Sequence, residues 1–288
     1  MTPRSKAIAA ALAVVGTIAV AGGVIAAGRD DGGTPHPIAP GGAQPEERPV
    51  LAMMTSLPIY WGGASSIEQL LAGGPVRDEG GDAHGDSHSH EAEANARHWV
   101  RQALEERFDL LPLDVLGQPD GSVAQQLVDV PFLLLAQPYT LTPVDNAALD
   151  SWVRGGGRLL FFADPVLTEH SPFPLGDRRR PQDVGLVPPI FAHWGLEQTF
   201  DETQDSGPVS IGWAGTTIPT DQRGAFRYSA SGSEAAQCSV EAEGLVVRCT
   251  VGKGSALLVA DAALLEPHAL EGAHEAFVEL TNESFPSR

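Results

Sequence analysis

Basic residues are scarce in this chain. Lys and Arg number 18 against 37 Asp and Glu, which gives a formal net charge of −19. Because proteins bind nucleic-acid phosphates through Lys and Arg that displace counterions, this balance argues against a nucleic-acid partner. It also disfavours docking on anionic lipid headgroups. An acidic surface by itself indicates only solubility.

Motifs for nucleophilic catalysis are also missing. The chain has no G-x-S-x-G sequence, the sharp strand-to-helix turn that exposes a catalytic serine. Ser56 ends a predicted strand, but its surroundings, TSLPIYW, lack flanking glycines. His193 in FAHWG is more simply a residue near a helix end, with Gly195 as the cap. An enzyme of hydrolase or amidotransferase-like type, using Ser56 or Asp164, is therefore the alternative and not the main hypothesis.

Cysteine is rare, with two residues in 288. Cys238 and Cys249 bracket CSVEAEGLVVRC, which alternates as an antiparallel hairpin with Glu243 and Gly244 at its turn. In that register the cysteines lie opposite each other, close enough for a disulfide that an extracytoplasmic compartment would permit. Two reduced, buried thiols are the alternative. The C-x10-C spacing matches no common metal site.

An uncharged apolar run at residues 7–28 follows Arg4 and Lys6. A signal-peptide core has about 7–15 apolar residues and a membrane-spanning helix about 20, so the length favours a span. The positive-inside rule keeps the basic N-terminus in the cytoplasm. We therefore predict a signal anchor at residues 1–29 that crosses the inner (cytoplasmic) membrane once, with the C-terminal domain in the periplasm. Small residues near Ala26 leave cleavage as an alternative.

The remaining chain divides into a tether and one domain. Residues 30–48 are Gly, Pro and polar residues, typical of a flexible linker. Residues 49–288 alternate apolar strands with amphipathic helices, which predicts an α/β domain with a mostly parallel sheet and helices on both faces. Short β-like stretches at about 196–251 predict a β-rich insertion in its C-terminal part.

A glycine triplet, Gly155 to Gly157, raises the possibility of a phosphate loop. In LTPVDNAALDSWVRGGGRLLFFADP the glycines come after a helix and before a strand. A phosphate loop needs the reverse order, so that a helix N-terminus faces the anion. The glycines are therefore predicted to end a helix that begins at a capping Thr142, with Pro143 and Asp145 in its first turn. No cofactor is predicted.

Polar and aromatic residues gather at the predicted strand ends. In open α/β sheets, ligands bind beyond the carboxyl ends of the strands. The candidates for a ligand-binding edge are Thr55, Ser56, Tyr60, Trp61, Gln137, Tyr139, Asp164 and Asp261. The alternative is that Asp164 and Asp261 only cap the turns that follow them.

A histidine-rich segment, GDAHGDSHSHEAEANARH, precedes a predicted helix. Imidazole and carboxylate ligands together suit zinc or nickel. The candidate metal ligands are His84, His88, His90 and His98, beside Asp82, Asp86 and Glu91. A solvated loop is the alternative, since a glycine-rich setting supports at most a weak, metal-buffering site.

Four stretches carry a resemblance: LAMMTSLPIYWG, LDSWVRGGGRLLFFADP, FAHWGLE and VGKGSALLVADAALLE. They resemble the extracytoplasmic domain of auxiliary proteins of uncharacterised ABC-type transport systems, among them the Gld-type gliding-motility proteins. A related domain in intraflagellar-transport proteins has a fold similar to class I glutamine amidotransferases. The resemblance covers about residues 49–265. It implies a flavodoxin-like sheet without the amidotransferase triad, and it supplies no catalytic residue.

The chain departs from longer members of that family, because it has one apparent span and no fused permease. The main functional expectation is a membrane-anchored, non-enzymatic binding or scaffold module, accessory to an ABC-type permease and ATPase or to envelope machinery. Hydrolase or amidotransferase-like activity is one alternative. Periplasmic metal handling through the histidine-rich loop is the other.

Overall fold

A computed structural model describes residues 48–60 and 98–286, except residues 169, 170, 172, 178, 179, 186 and 234. The strands in this part of the chain are β1 (Val50–Thr55), β2 (Asp109–Pro112), β3 (Phe132–Ala136), β4 (Arg158–Phe162), β5 (Leu196–Phe200), β6 (Val209–Trp213), β7 (Thr216–Thr220), β8 (Gly224–Tyr228), β9 (Gln237–Glu241), β10 (Val246–Val251) and β11 (Gly254–Val259). The helices are α1 (Trp99–Glu105), α2 (Pro143–Gly155), α3 (Pro189–His193) and α4 (Ala273–Ser284).

Seven strands form one mixed sheet in the order β2-β1-β3-β4-β11-β10-β9. The first five are parallel, and β10 and β9 continue the sheet in antiparallel pairing. This confirms the predicted α/β class with a mostly parallel sheet, although helices are sparse in the described residues. Strands β5 and β8 pair separately, as do β6 and β7. The β-rich stretch thus divides between small two-stranded sheets and the antiparallel edge of the main sheet.

Alternate side chains of the central strands enter two apolar cores. Leu134, on β3, joins the core that contains Val100 of α1 and Phe277 of α4. Its neighbour Leu135 joins the core that contains Trp152 of α2. Strand β3, with the apolar sequence FLLLA, is buried along its whole length, as is typical of a parallel strand covered on both faces.

Helix α2 has the predicted boundaries. The Thr142 side chain accepts a hydrogen bond from Asp145 N, and the Asp145 carboxylate accepts one from Thr142 N, which completes a capping box. The helix ends at Gly155, and Gly156 follows with φ 124°, a conformation that favours glycine. The glycine triplet therefore ends a helix and starts β4, as predicted.

The cysteine hairpin also forms in the predicted register. Cys238 on β9 lies opposite Cys249 on β10, and Val240 lies opposite Val247. Cys238 and Cys249 form a disulfide, which confirms the bridged alternative over two free thiols. The bridge joins the two strands at the antiparallel edge of the sheet.

Several predictions fall on other parts of the chain. The signal anchor, the linker except its last residue and most of the histidine-rich segment lie outside the described residues. Within the described ranges, every helix is too short or too polar to cross a membrane.

Candidate functional site

The ends of β1 and β3 are joined by Ser56. Its backbone N donates to the carbonyl of Gln137 at 3.1 Å, and its Oγ donates to the same carbonyl. Ser56 Oγ also accepts a hydrogen bond from the backbone N of Gln182 at 3.0 Å. The hydroxyl is buried and engaged as both donor and acceptor, so it holds chain segments together.

Gln137 links this serine to the end of β4. Its Nε2 donates to the carbonyls of Asp164 at 3.0 Å and Gln182 at 2.9 Å, and its Oε1 accepts from Asp164 N at 2.9 Å. Gln137 has φ 44°, the left-handed region that a residue with a side chain rarely occupies. The strained position between β3 and α2 is where a strand-to-helix elbow would expose a nucleophile. Here it carries a buried amide.

A segment of the loop after β4 lies across these strand ends, and we call its residues 180–185 the strap. Its attachment to the β4 end uses backbone groups: Leu167 N donates to the Asp183 carbonyl at 2.8 Å, and Gly185 N donates to the Pro165 carbonyl at 3.2 Å. Gly185 lies so close that a Cβ there would be 2.1 Å from the Asp164 carbonyl oxygen. Only glycine permits this approach.

The two carboxylates at the ends of β4 and β11 accept hydrogen bonds from the turns that follow. Asp164 accepts from Val166 N at 2.9 Å and from Ala262 N at 3.0 Å. Asp261 accepts from Ala263 N at 2.8 Å and from Asp221 N at 3.1 Å. The contacts with Val166 and Ala263 are those of turn-capping residues, the alternative to a ligand-binding role. Each carboxylate also binds a backbone N–H of a second, distant segment.

Both carboxyl groups resist ionisation. Burial raises the pKa of Asp164 to about 7, against the hydrogen bonds from Ala262 and Val166, which favour the charged form. Burial first, and the nearby Asp164 second, raise the pKa of Asp261 well above its ordinary value. Glu266 and Asp221 add to the repulsion at Asp164. Near neutral pH this pair therefore favours holding a proton.

A pocket of about 350 Å³, which includes space open to solvent, lies beside the strap. Its lining residues are Gln137, Pro138, Tyr139, Thr140, Leu141, Phe161, Ala163, Asp164, Gln182, Gly185, Pro188 and Gln198. Amides, hydroxyls and apolar groups dominate this lining, and it includes no Lys, Arg or His among the described residues. Tyr139 is 44% exposed, and its hydroxyl lies 3.5 Å from the Arg180 carbonyl. Such a lining suits uncharged groups.

Thr55 and Tyr60 are not among the residues that line the pocket. Thr55 Oγ1 accepts from Leu57 N at 2.9 Å, which closes a local turn. Tyr60 packs against the core, and the Arg101 guanidinium lies 4.8 Å from the centre of its ring. Trp61 lies outside the described residues. Of the predicted edge, the structure brings together Ser56, Gln137, Tyr139 and Asp164 around one pocket and strap, and Asp261 lies near Asp164.

His98 is the one candidate metal ligand within the described ranges. Its Nδ1 accepts from Val100 N at 3.3 Å, which caps α1, and its Nε2 is buried without a hydrogen-bond partner. Burial lowers the pKa of His98 to about 4, so the ring is neutral at pH 7. No group of three or more potential metal ligands occurs in the described part of the chain. His84, His88 and His90 lie outside it, and metal handling by that loop stays a prediction.

Sequence reasoning missed the residues that complete the site. Gln182 and Gly185 belong to a polar loop without periodicity, and Gln198 belongs to β5, where its Nε2 donates to the Ala163 carbonyl at 2.5 Å. Glycine in a polar loop usually indicates only a turn. Its close approach to Asp164 depends on how the loop returns to the sheet, and no local signal encodes that return.

No protein-family model matches the chain, and no curated protein matches its sequence. Solved structures show partial likeness. An exo-β-1,4-mannosidase from an Opitutaceae bacterium is 14% identical, with 84% of this chain and 37% of that chain covered and a TM-score of 0.43. This chain therefore spans little more than a third of the mannosidase. A putative ThuA-like protein from Bacteroides uniformis is 7% identical, with 87% of this chain and 98% of that chain covered and a TM-score of 0.41.

The N-terminal domain of mmIFT52 shows a similar degree of likeness. It is 10% identical, with 63% of this chain and 86% of that chain covered and a TM-score of 0.42. At such scores these likenesses assign no activity. The resemblance to auxiliary proteins of ABC-type systems therefore has no family-model match behind it and depends on the sequence motifs alone.

Proposed function

We propose that this chain is a membrane-anchored, non-enzymatic binding module that uses the strand-end pocket and serves an ABC-type transport system or other envelope machinery. The observation that carries the proposal is that the polar side chains at the strand ends are already engaged in hydrogen bonds within the chain. Ser56 Oγ is occupied by Gln137 and Gln182, and both aspartates accept backbone N–H groups. Groups engaged in this way give a rigid frame, and the adjacent pocket offers amide and aromatic contacts for reversible binding.

Two further features support the location and the fold in the proposal. The disulfide between Cys238 and Cys249 fits an oxidising compartment outside the cytoplasm. The domain would occupy such a compartment if the apolar run at residues 7–28 spans the membrane with its N-terminus in the cytoplasm. In a Gram-negative cell this compartment is the periplasm. The order β2-β1-β3-β4-β11 of the parallel strands is the 2-1-3-4-5 order of flavodoxin-like sheets, which supports that fold for the domain.

The test is affinity purification of the full-length protein from membranes after mild crosslinking, with recovered proteins identified by mass spectrometry. We expect a permease and its ATPase. The variant Tyr139→Ala removes an exposed ring from the pocket and should reduce recovery severalfold. Val128→Ala, which truncates a side chain that is 50% exposed and absent from the pocket lining, is the matched control and should leave recovery unchanged.

The enzymatic alternative predicts a different result. An activity-based hydrolase probe would label Ser56, and the label would disappear in Ser56→Ala. Such labelling, with measured turnover and without any membrane partner, would replace the binding proposal by an enzyme.

A further inference from the structure

We propose that the strap is an internal substitute for a peptide ligand, and that Ser56 and Gln137 form a clamp for one residue of an extended peptide. An external peptide would bind where the strap now lies, after the strap has moved away. This inference rests on the proposed binding function and names the class of ligand, an extended peptide backbone whose side chain in the pocket is uncharged.

The clamp contacts both backbone groups of a single residue. Gln182 N donates to Ser56 Oγ at 3.0 Å, and the Gln182 carbonyl accepts from Gln137 Nε2 at 2.9 Å. In extended chain, the N–H and C=O of one residue point to the same side, so two groups on a neighbouring surface can bind both. The contact is independent of the side chain of residue 182. Any residue with a free N–H would fit it, and proline would not.

The pocket beside the clamp, whose wall now includes the strap residues Gln182 and Gly185, would accept a ligand side chain once the strap has moved away. Phe161, Ala163 and Leu141 give it an apolar part, and Gln198 and Thr140 add polar groups. Peptide recognition by main-chain hydrogen bonds with adjoining side-chain pockets is a recurring mode of binding. Because the described lining carries no cationic side chain, an acidic peptide has no partner charge there.

The strap has the features of a segment that can leave. Its ion pair between Arg180 and Asp183 is internal, at a sequence separation of three, and does not fasten it to the sheet. Val184 is 59% exposed, so the strap buries little apolar surface at that position. Backbone hydrogen bonds at Gln182, Asp183 and Gly185 hold it in place, and they form only because Gly185 fits beside the Asp164 carbonyl. That carbonyl is fixed by Gln137, so a side chain at position 185 would displace the strap and leave the strand end in place.

The experiment uses the full-length chain in detergent and a fluorescein-labelled peptide of sequence RPQDVG, which corresponds to residues 180–185. In Gly185→Ala we expect the peptide to bind at least about tenfold more tightly than in the wild type, since apparent affinity scales with the fraction of molecules whose site is open. Gly155→Ala is the control, because a Cβ there has no neighbour within 4 Å and the gain should be absent.

Two further measurements distinguish binding of the peptide at the clamp from nonspecific binding. A peptide N-methylated at its glutamine lacks the N–H for Ser56 and should bind Gly185→Ala roughly three- to tenfold more weakly, as expected for one hydrogen bond. Adding Ser56→Ala to Gly185→Ala should weaken the unmodified peptide by a similar factor. Gln182→Pro, which removes the strap's own N–H, is a second way to open the site and should also raise affinity.

The proposal is overturned if the opened variants fold, by circular dichroism, and bind the peptide no better than the wild type does. It is equally overturned if neither variant folds, since the strap is then a required part of the domain. Recovery of a permease by the crosslinked wild type, together with either result, would leave the binding function intact and refute only the peptide clamp. Turnover with labelling of Ser56 would instead refute the binding function.

Discussion

The side-chain amide of Gln137 and the backbone of Asp164 exchange two hydrogen bonds, at 3.0 Å from Nε2 to the carbonyl and at 2.9 Å from the backbone N to Oε1. The pair joins the chain just beyond β3 to the chain just beyond β4. Because Gln137 has φ 44°, its backbone is strained by on the order of 1 kcal/mol or more. The exchanged hydrogen bonds offset that strain and fix the strand end on which both the pocket and the strap depend.

Gln137→Ala should therefore destabilise the domain strongly. It leaves the buried N–H and carbonyl of Asp164 without the amide, and unsatisfied buried groups cost about 1–3 kcal/mol each, so we expect a loss of about 3 kcal/mol in the free energy of unfolding. Urea denaturation followed by tryptophan fluorescence measures it. Gln126→Ala, at an exposed glutamine, is the control. A loss below about 1 kcal/mol for Gln137→Ala would show that water replaces the amide.

Asp145→Ala, at the start of α2, should lower the free energy of unfolding by a similar amount. The carboxylate accepts from Leu116 N at 2.8 Å and Gly117 N at 3.1 Å, besides completing the capping box with Thr142. Although burial opposes ionisation, these hydrogen bonds lower the pKa of Asp145. We expect a loss of about 3 kcal/mol in unfolding free energy, because a cap and two loop contacts disappear together. The exposed Asp129 gives a matched control, Asp129→Ala, which should change stability by less than about 0.5 kcal/mol.

The disulfide should be closed in protein isolated without reductant. Under denaturing, non-reducing conditions, iodoacetamide should therefore add no mass to either Cys238 or Cys249. Replacing both by alanine should lower the free energy of unfolding by about 3 kcal/mol, the chain-entropy value for a short closed loop. Labelling of both thiols in untreated protein would contradict the bridge. The reduced wild type is the control: it lacks the cross-link but keeps both sulfur atoms, so its stability shows how much of the loss is due to the cross-link alone.

The buried carboxylates should make the domain less stable as pH rises from about 4 to about 7. In this range the folded state holds a proton on Asp164, whose pKa is raised to about 7, and the unfolded state does not. The stabilisation is therefore complete below the unfolded pKa and is lost as pH approaches 7. Asp164→Asn removes this titration, so wild-type stability relative to the variant should fall by roughly 3 kcal/mol over the range.

His98 acts in the opposite direction over much of the same range. Burial lowers the pKa of His98 to about 4, so the folded state keeps the ring neutral while the unfolded state protonates it near pH 6.5. The free energy of unfolding therefore falls as pH decreases from about 6.5 toward 4. Wild type and Asp164→Asn both contain His98, and its contribution cancels when they are compared. Chemical denaturation at several pH values gives the comparison. A constant difference across the range would refute the raised pKa of Asp164.

Local sequence signals determined much of the framework. The limits of α2 were predictable because Thr142, Pro143 and Gly156 act on the backbone within one helical turn. The disulfide register was predictable because alternation along a hairpin places Cys238 opposite Cys249 whatever the rest of the chain does. The parallel sheet followed from apolar runs such as β3, which are buried on both faces.

The tertiary structure alone decided the chemistry at the strand ends. Ser56 and Gln182 are 126 residues apart in sequence, and Asp164 and Ala262 are 98 apart, so no periodicity relates them. Which hydroxyl is engaged, which carboxylate is desolvated and which glycine lies against a carbonyl all depend on the return path of a polar loop. Composition and spacing set which strands and helices form, because those depend on local backbone preferences and burial. Long-range hydrogen bonds formed only when the folded sheet brought its ends together.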